Sequence, residues 1–496
     1  MANDTDKASI GISGLDNVLG GGLSRGHVFL VEGEPGSGKT TIALQFLLAG
    51  AAVGETCLYV TLSETEKELR AGAASHHWTL DDHITICELL PPDSLLDGGN
   101  HQTLLYSSDL ELGETTTELL DAVRRVNPVR LVIDSLSEIR LLAQSSLRYR
   151  RQILTLKHFF ARTNTTVLLL DDLTSEATDK TVHSIAHGVI QVQQVSPDYG
   201  SERRRLRILK YRGQKYRGGY HDMTIVTGGV KVFPRLVAAE HRTHFVRSAI
   251  PTGIAPFDKL LGGGVDTGSG TLILGPAGTG KSLIAIIFAL AAVARGEKAA
   301  LFIFDEELGL LFDRMKGMNL DLEGAQERGA LRIEQIDAAE LSPGEFAHRV
   351  RKRVDEEKIK TVVIDSLNGY QASMPAENSL VLHMHELLQY LNRQGTATFL
   401  TMAQHGLVGD MKAPVDVTYL ADTVILLRYF EAHGRVRRAV SCIKKRTGRH
   451  ESTIREYHIG DGGLSVGEPL MAFQGVLRGV PTILREFDRT VDAESR

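Results

Sequence analysis

Blocks of apolar residues alternate with polar and glycine-rich stretches along this chain, and the same order of blocks occurs twice. Residues 28–31 form a short apolar run before a glycine-rich loop, and residues 41–53 form a longer, mainly apolar run after it. The succession returns at residues 271–275 and 283–294. Short apolar runs next to glycine are typical of buried strands, and runs of a dozen residues are typical of buried helices. Each half is therefore predicted to begin with a strand, a loop and a helix.

Further strands and helices follow in both halves. In the first half, the apolar runs at residues 57–62 and 129–134 lead into polar or acidic residues, and a helical pattern at 146–163 precedes another apolar run. The second half repeats this order, and both halves finish in β-rich segments. Such alternation predicts an α/β fold, with a mainly parallel sheet flanked by helices in each half and the active site at the carboxyl ends of the strands.

A constant offset relates the two halves. The lysines of GEPGSGKT and GPAGTGKS lie 281 − 39 = 242 positions apart, and the same offset links Asp16 to Asp258. A chain of 496 residues is too long for one core and fits two domains. We place the first domain at residues 1–240, with its fold ending near Pro234 and a linker over 235–248, the second at 241–482, and a short tail at 483–496.

Both octapeptides satisfy the phosphate-binding pattern G-x-x-x-x-G-K-[ST], and each lies between a predicted strand and a predicted helix. The glycines let backbone N–H groups turn toward phosphate oxygens, and the helix N-terminus adds positive potential. A glycine-rich turn without function can mimic the pattern once, but two copies at matched positions argue against that interpretation. The sequence predicts that ATP is bound by Gly33, Gly36, Ser37, Gly38, Lys39, Thr40, Thr41, Gly275, Gly278, Thr279, Gly280, Lys281, Ser282 and Leu283.

A magnesium ion is the second predicted cofactor, because a nucleotide triphosphatase of this type needs a hydroxyl and a carboxylate to fix Mg²⁺. Thr40 and Ser282 supply the hydroxyl in the two loops. Asp134 and Asp365 each end an apolar strand downstream of the loop and are predicted to supply the carboxylate. The alternative is a solvent-exposed carboxylate at a strand end.

Acidic residues also follow the second strand of each half, where they can reach the γ-phosphate. Glu64 and Glu306 share the offset of 242, and Asp305 precedes Glu306. We predict catalytic roles for these three residues. Their alternative role is that of a solvated charge or a neighbour of a helix N-cap.

Cations that stabilise the transition state of phosphoryl transfer often come from a neighbouring subunit. Lys210 and Arg212, and in the second half Lys444 and Arg446, lie at matched places in β-rich segments and are predicted to act in this way. The alternative is a charged edge strand that resists aggregation. The many basic residues around Arg212 could also bind nucleic-acid phosphates, but the matching segment of the second half has fewer basic residues.

Composition limits the function classes. The net charge is −5 and the pI is about 6.4, so the chain has no global basic field of the kind that marks a dedicated nucleic-acid binder. The longest apolar run, residues 283–294, is shorter than the roughly 20 residues of a membrane span. Three cysteines without C-x-x-C spacing suit a reducing compartment. We therefore expect a cytoplasmic protein with no membrane partner and no nucleic-acid partner.

With these motifs in place, the chain resembles the KaiC family over about residues 10–482. The resemblance implies two RecA-like domains, a double-ring homohexamer with ATP at the subunit interfaces, ATPase activity and serine/threonine autokinase activity. It places the family's paired carboxylates at Ser63-Glu64 and Asp305-Glu306, and its cations that act across the interface at the Lys-x-Arg pairs. Signalling partners, either KaiB-like or of the histidine-kinase and response-regulator type, are also implied.

The chain departs from the family pattern at four places, one of which is Asp305, shorter by one methylene than the family's glutamate. Ser63 stands where the family has a glutamate, which leaves Glu64 alone in the first domain. Thr418-Tyr419 stands at the phosphorylated Ser-Thr pair, so Thr418 is the predicted phosphorylation site. The tail is shorter than the clock protein's partner-binding tail, which argues against a KaiA-like partner.

Two other function classes stay open at this point. A RecA-type nucleic-acid-dependent ATPase shares the implied fold, although the acidic balance of the chain speaks against it. A nucleotide-dependent scaffold with little turnover is compatible with Ser63 in the first domain.

Overall fold

The computed structural model describes residues 6–89, 107–173, 181–196, 200–372, 377–404, 417–478 and 482–483. The chain divides into two compact units, Met1–Arg235 and Leu236–Arg496. The predicted tail after residue 483 lies outside the described residues. In the described part of the chain, no helix has the length and apolar character that crossing a bilayer requires.

The first unit is built on a nine-stranded sheet in the order β11-β10-β9-β8-β3-β7-β6-β4-β5, with β1 and β2 as a separate pair. Its strands are β1 Lys7–Ala8, β2 Leu23–Ser24, β3 Val28–Gly33, β4 Cys57–Thr61, β5 Ile84–Glu88, β6 Arg130–Asp134, β7 Thr166–Asp172, β8 Gly188–Val195, β9 Arg203–Tyr211, β10 His221–Val226 and β11 Gly229–Phe233. Its helices are α1 Ser13–Val18, α2 Lys39–Ala51, α3 Glu66–Ser75, α4 Ser107–Val126, α5 Leu136–Ala143, α6 Ser146–Thr163 and α7 Thr181–Ile185.

The second unit repeats this plan with a nine-stranded sheet in the order β16-β15-β17-β18-β14-β19-β20-β21-β22 and two small pairs, β12-β13 and β23-β24. Its strands are β12 Ala249–Ile250, β13 Val265–Asp266, β14 Gly270–Gly275, β15 Ala299–Ile303, β16 Leu331–Gln335, β17 Thr361–Asp365, β18 Ala397–Ala403, β19 Thr423–Ala432, β20 Arg435–Lys445, β21 Ile454–Gly460, β22 Gly463–Pro469, β23 Phe473–Gln474 and β24 Thr482–Ile483. Its helices are α8 Ala255–Leu260, α9 Lys281–Ala294, α10 Leu308–Lys316, α11 Leu322–Glu327, α12 Pro343–Glu357, α13 Leu367–Ala372 and α14 Glu377–Arg393.

The central strands are apolar throughout because helices cover both faces of each sheet. All six residues of β3 are buried. Phe29 and Val31 pack in the apolar layer that contains α2, and Val28 and Leu30 pack in the layer that contains α6. The second sheet is layered in the same way, with Phe288 of α9 on one face and Leu387 of α14 on the other. The predicted α/β class with a parallel sheet and a β-rich C-terminal part is confirmed.

The register of the parallel strands positions the candidate site of each unit. In the first unit, Gly33 pairs with Asp172 across β3 and β7, and Thr61 pairs with Asp134 across β4 and β6. In the second unit, Gly275 pairs with Ala403 across β14 and β18. The phosphate-binding loops and the strand-end carboxylates therefore lie at the carboxyl ends of the parallel strands of each sheet.

The segment interpreted above as a linker packs against the second unit. Leu236 and Ala238 lie in its core. The Ala238 N–H donates to Glu386 Oε2 at 3.0 Å, and its carbonyl accepts from Arg393 Nη1 at 2.9 Å. These residues are part of the second unit from position 236 onward.

Candidate nucleotide sites

The loop of the first unit has the backbone that its glycines permit. Gly36 and Gly38 have φ values of +79° and +103°, in the left-handed region that favours glycine. A Cβ atom on Gly38 would lie 2.8 Å from Ile225 Cδ1, so the position is closed to larger residues by packing as well. Helix α2 begins at Lys39, directly after this turn. The helix N-terminus is thereby turned toward the loop, as phosphate binding requires.

Lys39 is 8% exposed, and its ammonium group has three partners. It donates to the carbonyls of Gly33 and Glu34, both at 3.0 Å, and pairs with Asp172 Oδ1 at 2.7 Å. An ammonium group has three N–H donors. All three are satisfied within the unit, so phosphate oxygens must replace some of these partners when a nucleotide binds.

The predicted magnesium ligands of the first unit lie close together. Thr40 Oγ1 donates to Asp134 Oδ2 at 3.4 Å, and Tyr59 OH donates to the same oxygen at 2.5 Å. Burial raises the pKa of Asp134, against the hydrogen bond from Tyr59, which lowers it. No cluster of three metal-binding side chains of the His, Cys, Asp or Glu type occurs among the described residues. One hydroxyl and one carboxylate fit Mg²⁺, which keeps waters and phosphate oxygens as its other ligands.

The loop of the second unit is similar but holds its lysine differently. Lys281 Nζ and Thr279 Oγ1 both donate to the Pro276 carbonyl, each at 2.8 Å. Burial lowers the pKa of Lys281, and the nearby carboxylate of Asp365 acts in the opposite direction. Asp365 accepts a hydrogen bond from Thr401 Oγ1. Asp365 and the lysine are thus brought together, as predicted for a loop and its strand-end carboxylate.

A cavity of about 390 Å³ opens beside this second loop. It is lined by Gly278, Gly280, Lys281, Ser282, Leu283, Arg314, Met318, Arg438 and Ile459. Five of these residues belong to the predicted nucleotide-binding set. The cavity is therefore the candidate ATP pocket of the second unit.

The catalytic carboxylates differ between the units, although their sequence offset is the same. The pKa of Glu64 is raised by burial and by repulsion from Asp134 and Glu68. Glu306 instead forms a two-pronged ion pair with Arg314, with Nε–Oε1 and Nη2–Oε2 distances of 3.1 and 2.6 Å. The offset of 242 places glycine at the first-unit counterpart of Arg314. Within the described part of the chain, Glu64 therefore has no cationic partner of the kind that Glu306 has.

Asp305, the other predicted catalytic carboxylate of the second unit, accepts a hydrogen bond from Ser366 Oγ. Ser366 directly follows Asp365 at the end of β17. The structure therefore brings Asp305 to the strand end that carries the predicted magnesium ligand.

The two Lys-x-Arg pairs make matching contacts. Lys210 Nζ donates to the carbonyls of His183 and Ala186, the latter at 2.8 Å, and Arg212 Nη2 donates to the Ser184 carbonyl at 2.6 Å. Both side chains thus clamp the segment that leads into β8.

In the second unit, Lys444 Nζ donates to the carbonyls of Thr418 at 2.9 Å and Ala421 at 2.7 Å. Arg446 Nη2 donates to the Tyr419 carbonyl at 2.7 Å. The predicted phosphorylation site Thr418 is therefore held through its backbone by the cations predicted to act across an interface. Tyr419 beside it is 52% exposed.

Neither Lys-x-Arg pair lies at its own phosphate loop. Lys210 pairs with Val189 near the start of β8, and Lys444 pairs with Val424 near the start of β19. These strands run parallel to β3 and β14, so the pairs lie toward the end of the sheet opposite the loops. β9 lies between β8 and β10, and β20 lies between β19 and β21, but among the described residues β10 pairs only with Arg204–Leu206 and β21 only with Arg438–Ser441. Lys210 and Lys444 lie beyond these paired stretches, so the edge-strand alternative stays open for them.

Two arginines near the loops were not singled out from the sequence. Arg204 Nε donates to the Gly36 carbonyl at 3.3 Å. Arg438 lines the second cavity, with its guanidinium 5.7 Å from the centre of the Tyr429 ring. The sequence does contain a signal for these two arginines. They lie 438 − 204 = 234 positions apart, and the predicted lysines Lys210 and Lys444 have the same spacing. Asp172 was also missed, because only the fold brings it to Lys39.

Comparison with known proteins agrees with this geometry. The family model of the KaiC ATPase matches residues 8–237 and 250–471. The chain is 26% identical over 485 residues to circadian clock protein KaiC3 of Synechocystis sp., covering 96% of this chain and 94% of the relative. It is 27% identical over 478 residues to circadian clock oscillator protein KaiC of Picosynechococcus sp. (95% and 91% covered), and 27% identical over 494 residues to that of Synechococcus elongatus (98% and 92% covered). With one family match in each unit, the chain belongs to the KaiC family of ATPases.

Proposed function

We propose that this protein is a Mg²⁺-dependent ATPase and serine/threonine autokinase that assembles as a homohexamer and acts as a signalling or clock-type switch. One observation carries the proposal. Each unit has a complete phosphate loop at one end of its sheet and a Lys-x-Arg pair near the other end, where Lys444 and Arg446 hold the segment of Thr418.

Hydrolysis at the first site uses groups at the carboxyl ends of the strands. Loop N–H groups and Lys39 bind the phosphates. Thr40 and Asp134 would hold Mg²⁺, which would neutralise the charge that develops on the β- and γ-phosphates. Glu64 takes the proton of the attacking water. Its raised pKa suits a base, since proton transfer is most effective when the pKa approaches the working pH.

Assembly follows from where the cations lie. A cation at the loop-distal end of a sheet cannot reach the γ-phosphate of its own subunit, so it completes a site only on a neighbouring subunit. Head-to-tail contacts of this kind close into rings. The hexamer with ATP at its interfaces is the arrangement that the family resemblance implies.

Phosphotransfer to Thr418 uses the same interface. The clamp of Lys444 and Arg446 presents the segment of Thr418 together with the cations, so both reach the neighbour's second site as one unit. Glu306 of that neighbour is the proposed base, and it must leave Arg314 to accept the proton of the hydroxyl. The side chain of Tyr419 is longer, so its phenol oxygen lies too far from its backbone to fit a site shaped for serine or threonine.

The output is a change of assembly and phosphorylation state that a second protein reads in the cytoplasm. The relatives are named as circadian clock proteins, which supports a clock-type output. A KaiB-like partner, or one of the histidine-kinase and response-regulator type, is what the family resemblance implies.

Three measurements on the purified protein test this function. We expect the solution mass to rise to six subunits with ATP and Mg²⁺, phosphate to be released, and mass spectrometry to find phosphate on Thr418. An unchanged monomer would refute the interface. Turnover that requires single-stranded DNA would favour the RecA-type ATPase, and assembly without turnover would favour the scaffold.

A further inference from the structure

Asp172 distinguishes the first unit from the second. It ends β7 beside Gly33, and the residue in the same register of the second unit is Ala403 beside Gly275. The two positions also face the same way. Leu168 and Leu170 of β7 lie in the layer of α2, and the alternation of the strand places Asp172 on that side too. Ala403 lies on the α9 side of its sheet by the same alternation.

Asp171, the carboxylate next to Asp172 in the chain, does not face the phosphate loop. Asp171 faces the opposite layer, where it pairs with Arg140. Asp172 pairs with Lys39 at 2.7 Å, and its side chain is 32% exposed. Its carboxylate also acts electrostatically on Asp134, the predicted magnesium ligand. Asp172 therefore contacts the loop lysine and lies near the predicted magnesium ligand.

The second unit has its additional carboxylate on a different strand. Asp305 follows β15, where the first unit has Ser63 after β4. Besides the magnesium ligand, the carboxylates at the carboxyl ends of the strands therefore include Glu64 and Asp172 in the first unit and Glu306 and Asp305 in the second. The carboxylate missing at position 63 is present on β7.

We propose that Asp172 has two roles at the first nucleotide site: it holds Lys39 before ATP binds, and it then positions the water that attacks the γ-phosphate. The second role rests on the hydrolysis proposed above, whereas the first does not.

The distances allow both roles. When the ammonium of Lys39 keeps Asp172 and donates another proton to a γ-phosphate oxygen, two hydrogen bonds of about 2.8 Å meet at nitrogen near the tetrahedral angle. The carboxylate and phosphate oxygens then lie about 4.5 Å apart, which leaves room for a water that donates one hydrogen to Asp172 and the other to Glu64. That water attacks phosphorus, the bond from the γ-phosphorus to the β–γ bridging oxygen breaks with its electron pair leaving on ADP, and Glu64 takes the proton. Asp172 accepts the second hydrogen bond of the water and fixes its direction.

If Asp172 holds Lys39 before ATP binds, the isosteric variant Asp172→Asn should change nucleotide affinity and turnover in opposite directions. The variant removes a negative charge beside the phosphates and leaves Lys39 with a neutral partner, so nucleotide should bind more tightly, by about threefold or more. It also loses the charged acceptor for the water, so turnover should fall by about tenfold or more. A residue with only a structural role would weaken binding or leave it unchanged.

The experiment uses the full chain with Lys281→Ala to silence the second site. Titration with a fluorescent ATP analogue, with and without Mg²⁺, measures affinity, and phosphate release at saturating ATP measures turnover. Asp172→Glu, which keeps the charge, should retain more turnover than Asp172→Asn. Asp121→Asn is the control, because Asp121 makes only an exposed pair with Arg124 and should change neither quantity.

The reciprocal variant is Ala403→Asp with Lys39→Ala, which adds a carboxylate beside Lys281 and should weaken binding at the second site. Unchanged or weaker nucleotide binding by Asp172→Asn would overturn the proposal that Asp172 holds Lys39 before ATP binds. Binding that is weaker only in the presence of Mg²⁺ would show that Asp172 is a metal ligand instead. Tighter binding with unchanged turnover would overturn the role in water positioning. If the first site hydrolyses nothing in any variant, the proposed hydrolysis and that second role both fail, while the affinity shift still decides the first.

Discussion

Replacing Lys444 by methionine should loosen the segment that carries Thr418 while leaving the apolar stem of the side chain in place. Lys444 Nζ donates to the carbonyls of Thr418 and Ala421 at 2.9 and 2.7 Å. A hydrogen bond from a charged donor contributes about 1.5–3 kcal/mol net. Because water replaces part of the loss at this half-buried place, we expect local opening to become easier by about 2–4 kcal/mol, or about 30-fold to 1,000-fold.

Hydrogen exchange read by mass spectrometry measures this change directly. The Leu420 N–H donates to the Val417 carbonyl, and the Asp422 N–H donates to the Gly270 carbonyl, so both amides report on the clamped segment. Both amides should exchange faster in Lys444→Met than in the unmodified protein. Phosphate incorporation at Thr418 should decrease in the same variant.

Lys445→Met is a matched control. Its side chain also holds two carbonyls, those of Leu261 and Gly264, but in a different segment. Exchange at residues 417–422 that does not change in Lys444→Met, or that rises equally in Lys445→Met, would refute the clamp.

Three further predictions concern the first unit. Since burial and Asp134 raise the pKa of Glu64 above its ordinary value of 4.5, first-site turnover in Lys281→Ala should fall as the pH drops, with a midpoint above 4.5; a midpoint at or below that value would contradict the role of Glu64. Gly38→Ala should abolish binding of the fluorescent ATP analogue at this site, whereas Gly54→Ala, which shares a positive φ but has open space around it, should retain it; equal loss in both would show that backbone strain alone is responsible. Arg130→Met breaks a buried pair with Glu55 and should cost about 3–5 kcal/mol, seen as a drop in Tm of the order of 10 °C, against about 1 kcal/mol or less for the exposed Arg124→Met.

The sequence predicted the parts of the site that local pattern determines. Both loops, the strands before them and the strand-end residues Asp134 and Asp365 follow from apolar runs and from glycines at fixed spacing. The KaiC family and the fold class are confirmed for the same reason, since these motifs occur twice at a constant offset.

The remaining features depend on which strands become neighbours. The pair of Lys39 and Asp172 joins residues 133 positions apart (172 − 39), and only the order of β3 and β7 in the sheet brings them together. The difference between Glu64 and Glu306 arises from Arg314, a helix residue whose direction the strand pattern does not determine. The linker prediction used polarity alone and could not show that Leu236 and Ala238 find places in the second core.

The central claim is that phosphoryl transfer to Thr418 crosses a subunit interface, and mixing two variants tests it most directly. Lys281→Ala chains keep Thr418 but lack the lysine of the second loop, and Thr418→Ala chains keep that loop but lack the acceptor. After the two are mixed with ATP and Mg²⁺ and allowed to exchange subunits, mass spectrometry should find phosphate on Thr418 of the Lys281→Ala chains, and none when those chains are incubated alone. Mixed hexamers without phosphate on Thr418, or Lys281→Ala chains that label themselves, would contradict the account.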